Sequence, residues 1–200
     1  MLAPSKNVDP RVKRTRQLLQ QAFIELFQEK GFQSISIQDI TERATVNRAT
    51  FYAHFPDKYA LMDSIIREQF QLRMSSLLPS NPRWSRKSLR VLIRVVFDFL
   101  KEFHHECKPS NTHFDPLVER TVQQELRNIL TSWLKQASVS DKRRLIPVDT
   151  VADVLSWAMF GTAVRWSRNG QKPSAEEMTN HVLLILTEGV AHLAPDLPPE

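Results

Sequence analysis

The segment Asn47-Arg48-Ala49-Thr50-Phe51-Tyr52-Ala53-His54-Phe55 decides the reading of this chain. Asparagine is a favoured helix N-cap, and Phe51 and Phe55, four residues apart, share one face of the helix that follows. With those rings inward, Arg48, Ala49, Thr50, Tyr52 and His54 are left outside, and Pro56-Asp57 ends the element. Upstream, Ser36 with Asp39 three residues on reads as a capping box. It opens a short helix from Ile37 to Ala44, with Ile37, Ile40 and Ala44 inward. Thr45 and Val46 form a brief turn between the two helices. Two short helices across a tight turn, braced by a long helix on each side, match the helix-turn-helix plan. In that plan the second helix offers small or polar residues to the DNA major groove while its back packs on the first.

The bracing helices are legible from periodicity. Asp9-Pro10 combines an N-cap with a proline at the first helical position. Thr15, Leu18, Leu19, Ala22, Phe23, Leu26 and Phe27 then recur at helical spacing. Gly31 reads as a left-handed cap, with Phe32 folding back on Phe27. After Pro56-Asp57 a fourth helix carries Leu61, Met62, Ile65, Ile66 and Phe70 on one face, and Pro79 to Pro82 breaks the chain. Met1 to Val8 reads as a flexible basic arm.

Beyond the break lie four more helices and no strand pattern. Trp84 to Cys107 is apolar nearly all round, which places it in the middle of a bundle. A second Asp-Pro start at Asp115-Pro116 precedes Val118, Val122, Leu126, Ile129, Trp133 and Leu134. Pro147 and Asp149 open a helix to Arg168, and Ser174 with Glu177 forms a second capping box for the last one. The fold class is therefore all-α: an N-terminal three-helix helix-turn-helix DNA-binding domain, residues 1–58, and a C-terminal helical bundle, residues 59–200.

Totals narrow the function. A net charge of +5 in 200 residues suits a polyanionic partner. Cys107 is the only cysteine, so no intrachain disulfide can form. The N-terminus has no leader pattern, and no apolar run approaches the ~18 residues of a membrane span. A cytoplasmic protein with no membrane association is expected. His104, His105, Cys107 and His113 lack a recognised zinc spacing, and no phosphate-cradling loop or paired-carboxylate site is evident. Neither metal, cofactor nor catalysis is expected.

The stretch Gly31-Phe32, Ser36 to Ile40 and Ala44 to Lys58, ending at Leu61, resembles the N-terminal domain of the TetR family of bacterial transcriptional regulators. The resemblance covers about Thr15 to Leu61, and its Thr50-Phe51-Tyr52-x-His54-Phe55-x-x-Lys58 core is specific. It implies that Gln38, Arg48 and Ala49 face base edges. It also implies that Ser36, Thr50, Tyr52, His54 and Lys58 hold phosphates. Thr45 and Ala49 stand where the family often has glycine. A β-branched residue resists positive φ, and the extra methyl of Ala49 suits a thymine methyl.

The resemblance further implies an effector domain and a homodimer. A two-fold operator needs two recognition helices about one DNA turn apart, ~34 Å, which one copy cannot supply. The last two helices, through Ala158, Gly161, Val182, Ile185 and Gly189, are the expected dimer interface; the competing reading is that both are buried within one subunit. Phe97, Leu100, His104, Cys107, Trp133 and Trp157 are the expected pocket for a small, mainly apolar effector, unless they simply complete the core. The expected function is a ligand-responsive, DNA-binding repressor. An all-helical protein-binding adaptor and a transcriptional activator are the alternatives.

Overall fold

The computed structural model describes residues 9–106, 115–138 and 146–189, without the side chains of 104–106, 115 and 138. The described residues form eight α-helices and no strand: α1 (Pro10–Lys30), α2 (Ile37–Arg43), α3 (Arg48–His54), α4 (Lys58–Leu77), α5 (Arg86–Glu106), α6 (Asp115–Ser138), α7 (Val148–Arg168) and α8 (Ala175–Glu188). The chain divides into two compact units, with the break inside α4 between Ile66 and Arg67.

Local signals set the boundaries. The Asp9 carboxylate accepts from the backbone N–H of Arg11, with Pro10 in the first turn of α1. Ser36 and Asp39 form the reciprocal capping box on α2, and Ser174 and Glu177 repeat it on α8. Each satisfies donors that a bare helix start leaves unpaired. Gly31 differs from the expected left-handed cap. Its φ is 73° but its ψ is 163°, an extended mirror region that only glycine occupies readily. The chain therefore leaves α1 sharply, and Phe32 packs on Phe23 (ring centroids 6.1 Å).

The first unit closes on Leu19, Phe23, Phe32, Ile35, Ile40, Phe51 and Leu61, all essentially removed from solvent. In the second unit α5 is the central element. Leu92, Ile93, Val96, Phe97 and Leu100 are fully buried, and α5 packs against both α7 and α8. Phe97 meets Trp166 of α7 edge-on at 5.1 Å. The C-terminal half of α4 joins this unit through Phe70 on Phe99 (5.6 Å) and through Arg67 and Gln71, both bonded to the carboxylate of Glu125 on α6. No helix among the described residues is long and apolar enough to cross a membrane.

Candidate nucleic-acid interface

Three contacts assemble the helix-turn-helix. Arg43, at the end of α2, forks onto Glu29 (2.8 and 2.9 Å) and reaches Glu25 (3.2 Å), both on α1. The hydrogen bond from Arg43 holds Glu29 below the usual carboxylate range; Glu25 is lowered first by Gln21 and then by Arg43. Lys30 pairs with Asp39 at 2.8 Å. The turn is drawn tight by the N–H of Val46 donating to Thr41 O at 3.0 Å. Thr45 sits at φ 54° within it, an outlier for a β-branched side chain.

Asn47 caps α3 by accepting the N–H of Ala49 at 2.7 Å. Phe51 is fully buried and Phe55 nearly so, their rings 6.1 Å apart. That anchoring turns Arg48, Ala49 and Tyr52 to solvent and leaves Thr50 and His54 half-buried. The Arg48 guanidinium lies 5.8 Å over the Tyr52 ring and donates to its hydroxyl at 3.4 Å. Gln38 is exposed on α2 and donates to Glu42 Oε1 at 2.9 Å. The result is a polar, adaptable surface with an aromatic face and a cation at its centre, suited to base edges and phosphates.

Two expected phosphate contacts are otherwise engaged. The Lys58 ammonium is bonded within the protein. Its Nζ donates to the carbonyls of Ile35 (2.8 Å), Phe32 (3.0 Å) and Gln33 (3.4 Å) and lies 4.6 Å from the centre of the Phe32 ring. An ammonium has three protons, and here Lys58, expected at a phosphate, ties down the loop between α1 and α2. The Ser36 hydroxyl gives its proton to Asp39 in the capping box, and the Ser36 N–H bonds the same carboxylate oxygen.

Arg16 was not singled out by the sequence pattern. It lies over the Phe55 ring at 4.4 Å and donates to the His54 carbonyl at 3.4 Å, joining α1 to the end of α3. Burial, and then the charge of Arg16, holds His54 below the usual histidine range. The available signal was a helix start with four cations and no acid.

The residues expected in the second unit are distributed unevenly. Phe97, Leu100 and Trp133 are buried. Trp157 is 59 % exposed, beside Val154 at 63 %, so the expectation that it lines an internal pocket is corrected: successive exposed positions of α7 carry it outward. Ala158 is half-buried, Gly161 is exposed with open space where a side chain would stand, and Ile185 is 44 % exposed. Val182 is buried within its own unit, which leaves it no surface for a second copy, and Gly189 closes α8 through its N–H to Ile185 O. The side chain of His104 and all of Cys107 lie outside the described residues, as do His105, His113 and the N-terminal arm.

Residues 19–65 match the family described as bacterial regulatory proteins, tetR family. Residues 19–65 are thus similar to a TetR-family DNA-binding domain. Among curated relatives, the HTH-type transcriptional regulator YxbF of Bacillus subtilis (strain 168) is 43% identical over 63 residues, 31% of this chain and 17% of that protein. YuxN of the same organism is 25% identical over 115 residues, 54% of this chain and 40% of that protein. The chain thus spans well under half the length of these two relatives. The HTH-type transcriptional repressor DhaR of Mycobacterium sp. (strain GP1) is 26% identical over 192 residues, 88% of this chain and 96% of its own. A likeness of fold extends beyond the first unit: the solved structure of the flavonoid-responsive regulator FrrA aligns over 90% of this chain and 97% of its own, with a TM-score of 0.61 and 20% identity.

Proposed function

We propose that this chain is a homodimeric transcriptional repressor whose operator binding is released by a small, mainly apolar effector. The observation that carries the reading is the outward face of α3, where Arg48, Ala49 and Tyr52 stand exposed over a helix anchored by the buried Phe51. Arg48, Ala49 and Gln38 read base edges, and Thr50, Tyr52 and His54 grip the backbone. DhaR carries the name of a repressor and aligns over nearly its whole length, which favours repression over activation; FrrA is titled a flavonoid-responsive regulator, which favours an effector.

The second copy docks on the exposed face of α7 and α8. Val154, Trp157, Gly161 and Ile185 present apolar or backbone surface there, and the open space at Gly161 allows close helix approach. Packing against the same face of another chain gives a self-complementary two-fold contact. The effector is enclosed by α5 and its neighbours, with Phe97, Leu100 and Trp133 in the wall. A ligand acts there by binding more tightly to the state whose two α3 helices do not match the operator.

The test begins with selection of sites from random double-stranded DNA. A short two-fold sequence is expected, with affinity falling steeply as salt rises. Arg48→Ala should relax base preference by about 1–3 kcal/mol at one position of each half-site. Failure to enrich any sequence overturns the reading and favours the protein-binding adaptor. Trp157→Asp with Ile185→Asp should yield monomers by light scattering; a dimer that persists removes the assigned face.

A further inference from the structure

The first two turns of α1 carry charge that the helix itself disfavours. Arg11, Lys13, Arg14 and Arg16 follow Pro10, and no acidic residue occurs between Asp9 and Glu25. A helix N-terminus bears the positive end of the backbone dipole, so cations there oppose folding. The four fall into two pairs on different sides. At 100° per residue, Lys13 lies about 60° from Arg16, whereas Arg14 and Arg11 lie about 140–160° away.

The Arg16 side is the one that meets α3. Its guanidinium is held over Phe55 with one N–H on the His54 carbonyl. That leaves most of its five donors uncommitted by that bond. Lys13, one turn earlier on the same side, is exposed. The end of α3 that Arg16 reaches carries Tyr52 and His54, the residues assigned above to the DNA backbone.

We propose that Lys13 and Arg16 form a second DNA-phosphate clamp, on α1, which grips the backbone beside the C-terminal end of the recognition helix. The inference rests on the DNA-binding reading above. It adds a contact that carries no sequence information: the clamp sets how deeply and at what angle α3 enters the groove. Arg16 also places the end of α3 relative to α1, so recognition and clamping share one side chain.

The experiment measures affinity of the full chain for its selected operator and for random duplex DNA across a salt series. Each phosphate contact contributes about 0.9 to the log–log salt slope. Lys13→Gln removes one contact from each subunit of the proposed dimer, so it should lower the slope by about two and weaken both DNAs by the same factor, leaving base preference intact. Arg16→Lys should retain the slope, because a cation remains, while Arg16→Gln lowers it; thermal melting of each variant verifies folding. Arg11→Gln removes the same charge from the other side and should leave the slope near that of the parent.

An unchanged slope in Lys13→Gln overturns the clamp while leaving the DNA-binding reading intact. A drop in Arg11→Gln equal to that in Lys13→Gln also overturns it, since net charge rather than a local contact would then account for the effect. Absence of any DNA binding by the parent chain overturns both.

Discussion

The ammonium of Lys58 donates to the carbonyl of Ile35 at 2.8 Å. With its bonds to Phe32 and Gln33, this single side chain spans the loop that connects α1 to α2. The loop carbonyls have no helical partner, and Lys58 supplies one from the first residue of α4.

Replacement of Lys58 by Met should therefore destabilise the first unit rather than merely weaken DNA binding. Charge-assisted bonds contribute about 1.5–3 kcal/mol when buried; Lys58 is half-buried, so about 1–2 kcal/mol is expected. Urea denaturation measures it. Loss of DNA affinity at full stability would instead return Lys58 to the phosphates.

Acid should loosen α2 through Asp39. The hydrogen bond from Lys30, followed by those from Ser36, holds its carboxyl far below the usual range. A folded pKa below the unfolded value means that the stabilisation is fully present above the ordinary carboxylate pKa and is lost as pH falls through that value toward the folded one. Asp39→Asn should flatten the acid limb of the melting temperature against pH, below about pH 4, while leaving the neutral region displaced by a constant amount.

Thr45 is the strained residue of the turn, at φ 54°. Left-handed backbone costs a non-glycine residue about 1–2 kcal/mol, partly offset by the greater chain entropy that glycine loses on folding. Thr45→Gly should raise stability by about 1 kcal/mol with base preference unchanged, as read by thermal melting and operator titration.

Glu125 is almost wholly buried on α6 and is bonded by Arg67 and Gln71 of α4. Glu125→Ala removes the carboxylate shared by Arg67 and Gln71, and Arg67 retains partial access to water. Breaking a fully buried pair costs about 3–5 kcal/mol, and the solvent access of Arg67 reduces the expectation to about 2 kcal/mol. Glu125→Gln, which keeps the bond to Arg67 without the charge, should cost less than half of that in the same denaturation assay.

Much of this protein is local in origin. Asp9-Pro10, the boxes at Ser36–Asp39 and Ser174–Glu177, and the cap at Asn47 all act within three residues, so they can be read along the chain. The periodic apolar faces likewise announce eight helices and the burial of the middle of α5, from Leu92 to Leu100. The inward pair Phe51 and Phe55 and the outward Arg48, Ala49 and Tyr52 follow from the same periodicity, because a short helix with one anchored face has only one other to offer.

Tertiary structure decided which long side chains were already occupied. Lys58 and Arg16 are both flexible cations near the recognition helix, and nothing in their spacing says which one is spent on the protein itself. The carbonyls around Lys58 come from residues 23–26 positions earlier, brought there by the sharp exit at Gly31. The same holds for Trp157 and Val182: each lies on an apolar helix, but the position of α5 determines that the first faces solvent and the second is enclosed. Periodicity specifies that a helix has an apolar face; the neighbour that covers it is specified only by the packing of the whole chain.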